Sequence, residues 1–165
     1  MKTFTLIHVV ISLIAIFSGF IVLYGLLKSK KLDDWTAIFL ATTALTSITG
    51  FLFPFHGITP AIVVGIIFIV ILAMAIFARY GRKLAGVWRK TYVITAVLAL
   101  YLNFFVFVAQ SFEKIPTLKN ISPTQNDPPF KITQLVVLIA FIALGTLATI
   151  RFRGETISMT PREAI

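Results

Sequence analysis

The chain has 165 residues, of which 58% are hydrophobic and only 13% charged, and its mean hydropathy is +0.97. Soluble domains are about 45–50% apolar and about 25% charged, so lipid is the expected solvent. Cysteine is absent, which excludes disulfides, thiolate metal sites and cysteine nucleophiles. The net charge of +9 would suit nucleic acid in a soluble protein, but most Lys and Arg flank apolar stretches, where anionic lipid is sufficient reason for them. No nucleic-acid partner is expected.

The charges fall in clusters separated by uncharged runs, the pattern of span ends. Phe4 to Leu27 is uncharged and, at about 1.5 Å per residue, long enough to cross a hydrocarbon core of about 30 Å. Lys28, Lys30 and Lys31 follow it with no small-x-small cleavage site before them, so it reads as an uncleaved first span and not as a signal peptide. Trp35 to Phe55 forms a second span, closed by Phe53-Pro54-Phe55-His56-Gly57 and by Thr59-Pro60, a run of helix-breaking and turn residues.

A third span runs from about Ala61 to Ala78 and stops at Arg79-Tyr80-Gly81-Arg82-Lys83; a fourth runs from about Thr91 to Phe112. Glu113 to Phe130 holds Pro116, Pro123, Pro128 and Pro129 and is expected as an extended or folded-back loop instead of a helix. The fifth span, about Ile132 to Ile150, precedes a short polar tail. The fold expected is an all-α, polytopic transmembrane helical bundle of about five spans, forming one domain over 1–165.

Basic residues set the orientation. Lys28, Lys30, Lys31, Arg79, Arg82, Lys83, Arg89, Lys90, Arg151, Arg153 and Arg162 fall on one side, and Lys2, Lys114, Lys119 and Lys131 on the other. The richer side is expected in the cytoplasm, with the N-terminus outside and the C-terminus inside. Tyr24, Trp35, Tyr80, Trp88 and Tyr92 fall near that same side, as amphipathic rings at headgroup level should. For the connection from Arg79 to Lys90, contact with anionic headgroups is the expected role.

The segments Phe53-Pro54-Phe55-His56-Gly57-Ile58-Thr59-Pro60 and Ser122-Pro123-Thr124-Gln125-Asn126-Asp127-Pro128-Pro129-Phe130 resemble segments of small uncharacterised bacterial multispanning inner-membrane proteins. The resemblance implies the bacterial inner (plasma) membrane and carries no activity or site residue with it.

Polar residues inside spans are the candidates for function. His8, Ser12, Ala15 and Gly19 share one helix face, and small residues there let a neighbouring backbone come close. Thr42, Thr46, Thr49 and His56 share a face of the second span if its helix continues past Pro54, and Thr43, Ser47, Gly50 and Pro54 an adjacent one. On the fourth span Thr95, Ala99, Asn103, Val106 and Gln110 form a stripe, and Gln134 opens the fifth at the same outer level.

Polar amides in hydrocarbon are costly unless paired. Two readings therefore stand side by side: interhelical hydrogen bonds, or an outer-side polar pocket lined by His8, His56, Asn103, Gln110 and Gln134. With Phe51, Phe53, Phe55, Phe104, Phe105, Phe107 and Phe112 nearby, such a pocket would suit a small hydrophobic or amphipathic ligand, a quinone or lipid, whose carbonyl a His, Asn or Gln could bond.

His8 and His56 are the only histidines for a metal or haem, since neutral imidazole ligates Zn, Cu and Fe. Two ligands do not specify a metal, and the sequence requires no cofactor. No Asp, Glu, Lys or Arg lies well inside a proposed span, which disfavours proton-coupled transport. Nucleophilic-triad, phosphate-loop and His-Glu-x-x-His motifs are all lacking, so an autonomous enzyme is not expected. The alternatives to ligand binding are a structural or accessory subunit of a membrane complex, its partners lipids, another membrane protein or a second copy of the chain, and a metal- or haem-binding redox protein.

Overall fold

The structure is a computed structural model that describes residues 2–53 and 60–153. Its elements are α1 (Lys2–Leu27), α2 (Asp33–Phe51), α3 (Pro60–Ile76), a π-helical turn (Phe77–Gly81), α4 (Val87–Lys114), α5 (Pro116–Ile121) and α6 (Pro128–Arg151). The described residues contain no strand. The chain is an all-α bundle and a membrane protein by composition, as its hydropathy requires: a backbone in lipid must satisfy its own hydrogen bonds, and a helix does so within one segment.

Among the described residues four stretches, Thr3–Leu27, Ile62–Gly81, Val87–Lys114 and Pro128–Arg151, are long and apolar enough to cross a membrane. The remaining long helix, α2, opens on Asp33 and Asp34 and carries Thr36, Thr42, Thr43, Thr46, Ser47 and Thr49, so its own composition is less suited to lipid. Packing nonetheless lays it antiparallel along α1, its most extensive neighbour. Phe53, just past α2, meets Phe4 and His8 at ring-centroid distances of 5.0 and 5.2 Å. At the other end of the pair Leu32 reaches Gly25 so closely that a Cβ there would stand 2.6 Å from Leu32 Cδ1.

The helix α4 is the axis of the bundle, touching α1, α3 and α6. The core accordingly forms where its inward side, Tyr92, Val93, Ala96, Ala99 and Leu100, meets Leu23 and Leu26 of α1, Phe39 of α2, Leu72 and Ala75 of α3 and Phe141 and Ala148 of α6. A Cβ on Gly19 would come within 2.5 Å of Leu100 Cδ1 and 2.9 Å of Phe39 Cε2. The absence of a side chain there is what lets α1, α2 and α4 close on one another.

The segment from 113 to 130 is more ordered than a loop. The axial helix continues to Lys114, Pro116 opens the six-residue α5, and Pro128 opens α6. Prolines read as helix breakers stand here at first-turn positions, where the missing N–H has no intrahelical partner to lose. The turn between α5 and α6 is tied by Asp127, whose carboxylate accepts from Thr124 N (2.7 Å) and Thr124 Oγ1 (3.0 Å).

Candidate functional site

The outer-level polar residues of the sequence reading are distributed among separate contacts. His8 Nδ1 and Thr49 Oγ1 lie 2.7 Å apart, joining the first helix to the end of the second. Asn103 Nδ2 donates to Thr43 Oγ1 at 3.2 Å, joining α4 to α2 in the buried interior. Gln134 Nε2 donates to the Phe105 carbonyl at 3.0 Å, joining α6 to α4. Gln110 is exposed, and His56 lies outside the described residues.

Each of these bonds crosses between helices, which answers the cost of an amide or imidazole in hydrocarbon. Two atoms of this polar set are left over. Gln134 Oε1 and Thr46 Oγ1 are buried without a hydrogen-bond partner. Ring contacts of Phe104 with Phe20, Phe107 and Phe141 at 5.7–5.9 Å fill the apolar volume nearby on the α1–α4–α6 side.

A cavity of about 270 Å³ lies against the α4–α5 connection, lined by Phe112, Glu113, Lys119, Ser122, Pro123, Thr124 and Gln125. Of the pocket candidates from the sequence, the four described ones, His8, Asn103, Gln110 and Gln134, do not line it. Among the described residues no group of three or more His, Asp or Glu side chains stands together as a metal site would require.

The opposite end of the bundle collects the basic residues. Arg153 N donates to Ser29 Oγ at 3.0 Å, and Arg89 Nη1 donates to the Arg153 carbonyl, so the ends of α1, α4 and α6 are tied together. Arg79 sits deeper. It is 5% exposed, and its Nη2 donates to the Lys31 carbonyl at 3.2 Å and to the Asp33 carboxylate. The guanidinium also lies over the rings of Tyr92 (5.1 Å) and Tyr80 (5.8 Å).

Local geometry explains how a residue at the end of an apolar helix points inward. The chain widens from α3 into a π-helical turn over Phe77–Gly81, which shifts the register of side chains relative to a continuous α-helix. Read at α-helical spacing, Arg79 is simply the first charge beyond a span. The only sequence signal for a partner was an acidic pair, Asp33 and Asp34, in a loop otherwise basic.

No family model matches the chain, and no curated protein and no solved structure is significantly similar to it.

Proposed function

We propose that this chain is a multi-pass protein of the bacterial inner (plasma) membrane, N-terminus outside and C-terminus in the cytoplasm, acting as a structural or accessory component of a membrane assembly and not as an autonomous enzyme. The observation that carries the reading is the use of the interior polar groups. His8–Thr49, Asn103–Thr43 and Gln134–Phe105 each join two helices, the pattern of residues that fix helix packing. The orientation is supported by the ends: ten of the basic residues, from Lys28 to Arg153, fall at one end of the described bundle, and Lys114, Lys119 and Lys131 at the other.

The chain lacks cysteine, so single cysteines report topology directly. In intact cells, a membrane-impermeant maleimide is expected to label Gln125→Cys and to spare Lys30→Cys until the cells are opened; the reverse pattern inverts the orientation. For the accessory role, in-cell crosslinking followed by gentle extraction should give a discrete complex with a second membrane protein or a second copy. A chain that stays alone under those conditions refutes that role.

A second reading, a quinone or lipid held in the outer half, is favoured by Gln134 Oε1 and Thr46 Oγ1, two buried polar atoms without partners. Native mass spectrometry of protein released from mild detergent separates the two. A bound mass of discrete size, lost in Gln134→Leu, supports the ligand; a bare polypeptide supports the packing role.

A further inference from the structure

Lys31, Asp33, Arg79, Tyr80, Lys83 and Leu84 line an open cavity of about 150 Å³ at the basic end of the bundle. Three cations face one carboxylate there, so the lining is left with uncompensated positive charge. The volume is below the roughly 300 Å³ where pockets for drug-sized organic molecules begin, and suits a small anionic group.

Arg79 is the feature that distinguishes this place from an ordinary basic rim. Its Nη2 arm is occupied by Asp33 and the Lys31 carbonyl, while its Nη1 arm is buried with no hydrogen-bond partner. A guanidinium offers two parallel donors to a planar or tetrahedral oxyanion, and here a carboxylate takes only one. Asp33 is also poorly anchored, its side chain 80% exposed, so it can leave for water when a better anion arrives. The Tyr80 and Tyr92 rings hold the guanidinium from the other sides.

The backbone around the cavity is left-handed at four residues. Ser29 (φ 58°) and Leu32 (φ 43°) flank Lys31, and Lys83 (φ 49°) and Leu84 (φ 60°) are themselves lining residues; none is a glycine, and left-handed backbone at such residues concentrates at ligand clamps. With the π-helical turn that carries Arg79, both walls of the cavity depart from regular geometry.

We propose that this cavity binds a phosphate group, which displaces Asp33 from Arg79, takes both arms of the guanidinium and is closed over by the Lys31 and Lys83 ammonium groups. The phosphate comes from one of two sources, the headgroup of an anionic phospholipid at the membrane rim or free inorganic phosphate. The site does not depend on which end of the bundle faces the cytoplasm.

The test uses the full chain in mild detergent, with phosphatidylglycerol, phosphatidylcholine or inorganic phosphate at matched ionic strength added separately. Native mass spectrometry reads occupancy on the folded fraction, and thermal unfolding reads stabilisation. Phosphatidylglycerol binding without a response to inorganic phosphate assigns the lipid source; a response to inorganic phosphate assigns the free anion. The double variant Lys31→Gln, Lys83→Gln, which keeps the Lys31 carbonyl, is expected to weaken binding about tenfold. Asp33→Asn removes the resident competitor and is expected to tighten it. Equal occupancy by phosphatidylcholine and phosphatidylglycerol with no response to phosphate, binding unchanged in the double variant, or binding lost in Asp33→Asn each overturns the proposal.

Discussion

The Arg79 guanidinium stands 5.1 Å from the centroid of the Tyr92 ring, and through this contact the end of the third span is fastened to the axial helix. Tyr92 is fully buried, and its hydroxyl donates to Thr36 Oγ1 at 3.4 Å, a long bond. The ring therefore matters more than the hydroxyl. Tyr92→Phe should cost less than about 1 kcal/mol, whereas Tyr92→Leu, which removes the face beneath the cation and leaves a void, should cost about 2–4 kcal/mol. Unfolding in mixed micelles under increasing sodium dodecyl sulfate checks the ordering.

Asp33 and Arg79 are unequal partners, since the carboxylate is exposed and the guanidinium is not. Removing Asp33 leaves a buried charge with one of its bonds gone, so Asp33→Ala should destabilise by about 1–3 kcal/mol. Replacing Arg79 by Met as well removes the stranded charge and keeps an apolar stem beside the tyrosines. The double variant should then be more stable than Asp33→Ala alone. Additive losses in a double-mutant cycle would show that the pair does not interact.

The small-residue face of the first helix was legible because one helix determines it: Ala15 is buried, Gly19 meets Leu100, and His8 meets Thr49. Thr43 and Asn103 each stood in a polar stripe, but a stripe gives a direction and not a partner, and that they meet depends on how α2 and α4 cross. Arg79 was hidden for another reason. A change of helical register at Phe77–Gly81 has no periodic signature in apolar sequence, and its partner Asp33 lies on a different helix. The prolines at 116 and 128 were read as breakers because proline stops a helix and starts one equally well; only the described turn tells which.

The His8–Thr49 contact gives a further prediction. Hydrogen bonds between membrane helices contribute about 0.6 kcal/mol on average and about 1.7 at most, because the separated helices find other partners. Thr49→Val keeps the shape and removes the hydroxyl, so it and His8→Ala should show a coupling energy in that range, and loss of either should leave the fold intact. Coupling near zero would mean that the 2.7 Å contact contributes nothing to packing.

Two glycines on neighbouring helices should respond to alanine with opposite signs. On Gly19 a new Cβ meets Leu100 and Phe39 at under 3.0 Å, and neither can withdraw because both are in the core; Gly19→Ala should cost about 1–3 kcal/mol. On Gly50 the nearest atom to a new Cβ is His8 Cε1 at 3.8 Å, an ordinary contact. Alanine there gains up to about 1 kcal/mol from helix propensity near the end of α2. The two variants measured side by side in the same detergent isolate close approach from propensity. If both were destabilised alike, the tight meeting of α1, α2 and α4 at Gly19 would not be what sets the bundle's spacing.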